Sequence, residues 1–514
     1  MRKAFSSFFV LAIITSLLIG CSSNSQSGQG VLPPQNGSVP VSLSMTDDPP
    51  AGVTVLFFQV SLTGASLQPA SGQAVSLLPN NNPIQIDVTQ LQAASAFLST
   101  VNLDPGTYKS LSLTFADPQL VIFNTSNQSI ASTCAVGTVC KLTPTIDSSG
   151  TVALSSSPFP VTFASNSPAG FLVDFHLNTI IQPDLSVNLG VTNGITLKQI
   201  PPMTAPEPPQ FGFLRGTVGT VDTSKNQFTL QTLWGHTFTV QTSSGTAFNG
   251  FPSAACMSSG IGCLASGQFV SIQVGGVQSG GILQATQVTY MQAAGQQTAV
   301  GTIISMVQSQ TVPAQTSMTL LLRAAPTSVS NLPLGGLAGV KIASNATFSV
   351  DASGFTIPSS LTFTSISSLT IGQTVQVSIA PGSLTMVPNS VGPGSWTLLP
   401  SISFTTNSIQ LEPSQLSGSI ATINSSASSF TLNPLAAMFF GPMSPVAAQP
   451  ITVQTTSQTA YQGFSSDDFS GLATQDIVSV RGWIFVQDNG VLDPAITPSV
   501  ILAQNVTLHS MGMF

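Results

Sequence analysis

Charge is what this chain has least of: only 5% of its 514 residues are Asp, Glu, Lys or Arg, against about 25% in ordinary globular domains. Binding to a nucleic-acid backbone draws on several Lys or Arg side chains gathered on one face. Here Lys109, Lys141, Lys198, Arg215, Lys225, Arg323, Lys341 and Arg481 are scattered singly, so a nucleic-acid partner is set aside. Histidine is scarcer still, with His176, His236 and His509 in distant segments that suggest no common site. No G-x-S-x-G elbow or S-x-x-K motif singles out one of the many serines. After the first twenty residues no apolar run approaches the roughly 20 residues that a transmembrane helix needs. Yet 42% of the chain is hydrophobic and its mean hydropathy is +0.37. Its polar surface must therefore come from Ser, Thr, Asn and Gln, which are common in β-proteins outside the cytoplasm.

The N-terminus carries an address. Arg2 and Lys3 precede an apolar stretch from about Phe8 to Ile19, and the segment closes on Leu18-Ile19-Gly20-Cys21. This pattern resembles the lipobox of bacterial lipoproteins. The resemblance implies a signal peptide over 1–20, a mature chain starting at an acylated Cys21, and a membrane contact made through that lipid. Multiple acyl chains make such an anchor stable, at about 0.8 kcal/mol per buried CH₂. The mature chain would hold eight bases against 17 acids. Ser22 lacks the Asp that retains some Gram-negative lipoproteins at the inner membrane, so the expected location is the outer membrane, facing periplasm or surface. Residues 21–37 are mostly Ser, Asn, Gln, Gly and Pro, the composition of a flexible stalk.

The other four cysteines form two close pairs, Cys134 with Cys140 and Cys256 with Cys263, each bracketing glycine. Disulfides suit an oxidising envelope, and the spacing is not the C-x₂-C of zinc ribbons. Alternation at Val39, Val41, Leu43 and Met45, then Val53, Val55 and Phe57, then Leu111, Leu113 and Phe115, then Phe171, Val173, Phe175 and Leu177 predicts half-buried strands. Val88, Leu91, Ala94 or Ser95, and Leu98 instead fall on one helical face behind Asp87 and Thr89, predicting one short helix. Four motifs stand out: Ser44-Met45-Thr46-Asp47-Asp48-Pro49, Ile86-Asp87-Val88, Pro105-Gly106-Thr107-Tyr108 and Leu172-Val173-Asp174-Phe175. Together they resemble the bacterial lipoprotein family called domain of unknown function 4382. The resemblance implies a β-sandwich-like domain over 38–200 and no established reaction; Asp48 departs from the small residue usual between that Asp and Pro.

A Pro-rich linker occupies 201–211, and beyond it the chain repeats itself. Gly216-Thr217-Val218, Gly301-Thr302-Ile303 and Gly418-Ser419-Ile420 each open a unit. Thr246-Ala247-Phe248 and Gly267-Gln268-Phe269-Val270 recur as Ala346-Thr347-Phe348 with Gly372-Gln373-Thr374-Val375, and as Thr459-Ala460-Tyr461 with Asp476-Ile477-Val478. The order resembles domain of unknown function 5666, a small OB-like barrel, most closely in the first repeat and least in the second. The expectation is all-β: a sandwich, then OB-like barrels over 212–297, 298–411 (divergent) and 412–514.

Chemistry-bearing residues are few. Asp174 and His176 share the outward face of one strand. Asp47-Asp48 and Asp467-Asp468 are candidate calcium carboxylates without the EF-hand pattern, and no other cofactor is implied. Trp234 and Trp483, with Trp396, Tyr290 and Tyr461, could stack on sugars. The expected function is a lipid-anchored, non-catalytic envelope scaffold or interaction module, with a carbohydrate-binding or adhesion protein as the alternative and an envelope hydrolase behind both. The partners expected are the membrane and an envelope protein or glycan. Because Cys21 is the expected acylation site, Cys21→Ser should shift the protein out of washed membranes; retention without detergent would contradict the anchor.

Overall fold

The computed structural model describes residues 39–509, apart from 49–53, 79–82, 92–95, 125–128, 131–133, 147–149, 166–168, 183, 201–212, 233–236, 253–255, 257–259, 279–281, 293–296, 309–315, 325–333, 353–354, 388–396, 435–449 and 487–499. The lipobox with Cys21, the stalk and the Pro-rich linker lie outside these residues. The chain is all-β. No described helix is long and apolar enough to cross a membrane.

The N-terminal domain stacks two sheets. In the first, Val39–Asp48 lies between Ala169–His176, which it pairs in parallel, and Ala96–Leu103; Ile195–Ile200 completes the sheet. In the second, Thr54–Pro69 and Gly106–Phe123 run antiparallel, flanked by short strands. Alternation selects the buried face as expected: Phe171, Val173, Phe175 and Leu177 are fully buried, while Leu172, Asp174 and His176 are not. Phe175 meets Phe115 of the other sheet edge-on, with ring centroids 5.3 Å apart. Burial of each such ring stabilises by about 1.5–3 kcal/mol.

Two local expectations fail, each for a tertiary reason. Among the described residues, the predicted helix from Val88 to Leu98 is replaced by a 3-10 turn over Val88–Gln90 and a strand over Ala96–Leu103. Asp87 stands at the N-cap position but makes no side-chain cap bond, because its carboxylate is engaged elsewhere, as shown below. Phe57 does not share a face with Val55. A register shift between Val55 and Phe57 is a bulge, which re-aims the following side chain. Val55 joins the sandwich core, whereas Phe57 packs with Leu56 and Val121 against Leu321 and Leu337 of the second barrel. Gly335 is required there: its φ is +68°, and a β-carbon would fall 2.5 Å from Phe57 Cε1.

Three five-stranded barrels follow, with one topology. The first comprises Phe213–Asp222, Gln227–Thr232, Thr237–Gln241, Phe269–Val277 and Leu283–Gln292, in spatial order third, second, first, fourth, fifth. The third and fifth strands pair in parallel to close the ring. The second barrel repeats this with Thr298–Gln308, Thr316–Ala324, Leu337–Val350, Thr374–Ser378 and Pro400–Glu412. The third uses Ser414–Asn424, Ser429–Pro434, Ile451–Gln454, Ile477–Phe485 and Val500–Leu508. This is the OB-like order, and the divergent middle unit is a complete barrel. Closure matters in a chain so poor in Lys and Glu, because edge strands are otherwise protected largely by charge.

The repeat motifs have structural jobs. Each opening strand shifts register just past its glycine, at Val218/Val221, Ile303/Ser305 and Ile420/Thr422. A β-carbon on Gly216, Gly301 or Gly418 would strike the carbonyl of Gln231, Leu321 or Asn433. The side chains of Gln268, Gln373 and Asp476 each accept from the backbone N–H three residues earlier, at 2.8 Å. Thr246 and Thr459 each donate to the fifth strand, at Ala285 O (2.7 Å) and Ala503 O (2.8 Å).

The barrels are not beads on a string. Trp483, Phe485 and Leu502 belong by sequence to the third barrel, yet they pack into the core of the second with Phe355, Val375 and Leu411. Truncating Trp483 to Ala should therefore cost about 3–5 kcal/mol and lower the unfolding of both barrels together. Loss confined to one of two separable transitions would contradict the shared core.

Candidate functional site: charge centres between domains

An isolated arginine in an apolar strand must find a partner or reach water. Arg323 sits in the second barrel's second strand with its side chain 7% exposed. It crosses to the sandwich domain, where Nη1 donates to Asp87 Oδ2 at 3.0 Å and to Thr89 Oγ1 at 3.1 Å. Nε donates to Thr302 Oγ1 in its own barrel at 3.1 Å. Thr89 Oγ1 in turn donates to Asp87 Oδ1 at 2.5 Å. Burial raises the Asp87 carboxyl above its usual range, with Arg323 and Thr89 opposing the rise.

The second centre lies where the three barrels meet. Arg215 of the first barrel donates through Nη2 to Glu412 Oε2 at 2.7 Å; Glu412 ends the second barrel's last strand and is fully buried. Burial lifts the Glu412 carboxyl to about 7; Asp351 adds to the rise, and Arg215 and Arg481 oppose it. Arg481 of the third barrel donates to Gln504 Oε1 at 3.1 Å; burial, with Arg215 nearby, lowers its guanidinium to about 10. The indole of Trp483 donates to Asp351 O at 2.8 Å. All three arginines beyond the first twenty residues thus stand at or beside a domain junction. Neutral ties follow the same seams: Gln415 donates to Thr89 O, Gln373 to Ile484 O and Gln376 to Met291 O.

The residues singled out from sequence are not brought together. Cys134–Cys140 and Cys256–Cys263 are disulfides. Trp483 is fully buried and cannot stack on a ligand; its burial against another barrel was invisible to local pattern. Trp234 and Trp396 lie outside the described residues. Tyr461 is buried and Tyr290 contacts Phe251. Asp47 and Asp48 register opposite Phe175 and His176, and their side chains lie outside the described set. Asp468 caps the 3-10 turn Phe469–Gly471, accepting from Ser470 N, Ser470 Oγ and Ser466 Oγ, which hold its carboxyl below the usual range. Among the described residues no group of three His, Cys, Asp or Glu side chains is arranged to hold a metal.

Sequence reasoning missed one serine–histidine contact. Ser479 Oγ lies 2.6 Å from His509 Nε2 and 2.5 Å from Ser417 Oγ. Ser479 is fully buried, so no substrate reaches its hydroxyl, and the contact ties the end of the chain to the barrel wall. An open cleft of about 490 Å³ lies in the sandwich domain, lined by Thr145, Ile146, Gln182, Asp184, Ser186, Val187 and Asn188. Asp184 there is exposed and bonds Ser186 N and Oγ in its own loop, which shapes a turn.

Comparison with known families agrees with two of the units. A family described as Domain of unknown function (DUF4382) matches residues 38–198, and one described as Domain of unknown function (DUF5666) matches residues 417–493. The first covers the sandwich and the second most of the third barrel. The first and second barrels share the third's topology. No curated protein matches the chain.

Removing one member of a buried pair strands the other. Arg323→Ala should cost about 3–5 kcal/mol in denaturant unfolding, whereas Arg323→Met combined with Asp87→Leu should recover most of that loss. A single substitution costing under about 1 kcal/mol, the range of an exposed pair, would show that Asp87 is not held in this way.

Proposed function

We propose that the protein is a non-catalytic cell-envelope scaffold or interaction module, lipid-anchored through Cys21, whose sandwich and barrels present one stiff body. The observation that supports this most is the use of its arginines: all three outside the leader stand at or beside domain junctions. Shared apolar clusters join the sandwich to the second barrel and the second barrel to the third. A scaffold gains from such junctions because flexible domains would not hold a fixed spacing. An envelope hydrolase is disfavoured by the burial of Ser479 and the dispersal of the acids. The glycan-binding alternative loses Trp483 as a contact and rests on Trp234.

Two measurements separate the readings. Spin labels on the sandwich and on the third barrel should give one narrow distance distribution, unchanged between low and high salt because the buried pairs are poorly screened. A glycan array should show no binding that Trp234→Ala abolishes. A broad distance distribution would remove the scaffold reading, and Trp234-dependent glycan capture would replace it with the alternative.

A further inference from the structure

We infer that Glu412 is a proton-operated latch at the meeting point of the three barrels: protonation holds the junction closed, and ionisation loosens it. The geometry carries this beyond the scaffold reading. Glu412 is one of only two glutamates in the chain and is fully buried. Its Oε2 takes the bond from Arg215, while Oε1 is buried without a hydrogen-bond partner. A half-satisfied buried carboxylate is costly in its charged form. The charged groups within reach are Arg215 from the first barrel, Asp351 from the second and Arg481 from the third. Two cations and one further anion leave the cluster neutral when Glu412 is ionised, yet burial outweighs this balance and holds the proton to about neutrality.

The seam it guards has the least apolar glue. The core of the first barrel, from Leu214 to Val288, joins no buried apolar cluster of its neighbours among the described residues. Its described side-chain ties to the second barrel are Arg215 with Glu412, and Gln376 Nε2 donating to Met291 O at 2.9 Å. In an opened junction, Glu412 would reach water and ionise at the ordinary value of 4.5, against about 7 when closed. The closed form therefore binds the extra proton between these values. Its advantage is fully present below the lower value and is lost as pH rises through the upper one, on the order of 100-fold in the opening equilibrium.

Hydrogen exchange of the full chain tests this at about pH 6 and about pH 8.5, after correction for the intrinsic chemistry of exchange. Phe213–Asp222 should open about 10-fold more often at the higher pH, the part of the full effect that falls between these two values, and Glu412→Gln should abolish that difference. Infrared spectroscopy of the wild-type chain supplies a second readout that needs no variant. A protonated carboxyl band should persist at the lower pH and vanish at the higher. An unchanged pH response in Glu412→Gln would overturn the latch, as would a wild-type chain lacking the pH-dependent exchange or the band.

Discussion

A guanidinium or carboxylate taken out of water must be paired, because an unpaired buried charge costs several kcal/mol. In this protein that constraint sets the arrangement of whole domains. Arg323 is satisfied only when the second barrel lies against the sandwich, where Asp87 and Thr89 wait. Arg215 is satisfied by Glu412 only when the first barrel lies against the second. With charge at 5% of the chain, few competing partners exist. Wrong dockings would leave these groups stranded, so the pairs specify geometry more than they add net stability.

Apolar packing supplies the stabilising counterpart, unevenly. Phe57, redirected by a bulge, meets Leu321 and Leu337 across the sandwich–barrel seam, and Trp483 plugs the second barrel from the third. Among the described residues the first barrel joins neither cluster, and its side-chain ties to the second barrel are polar. Stiffness is therefore expected to be greatest from the sandwich through the second barrel to the third, and least where Arg215 reaches Glu412. The surface, mostly neutral Ser, Thr, Asn and Gln, then carries few charges that could compete for these sites.

Much of the fold was legible because it is local. Alternation at Phe171, Val173 and Phe175 identified the core face, and the recurring glycines at 216, 301 and 418 marked the curved opening strands. What failed was decided at long range. Asp87 looked like a helix cap, but its carboxylate is held by Arg323, 236 positions away. Phe57 followed the alternation until a bulge turned it to another domain. Trp483 looked like a stacking platform, and only the neighbouring barrel buries it. A signal did exist for the junctions: Leu214-Arg215-Gly216, Leu322-Arg323-Ala324 and Val480-Arg481-Gly482 each set a lone arginine in an apolar strand, a placement that demands a partner from elsewhere.

The central claim is that sandwich, second barrel and third barrel form one cooperative unit through buried pairs and shared cores. Differential scanning calorimetry of the intact chain tests it most directly. The account predicts that these three domains melt in a single transition whose calorimetric and van't Hoff enthalpies agree, with the first barrel melting alongside or separately. Independent transitions for the sandwich, the second barrel and the third would contradict it.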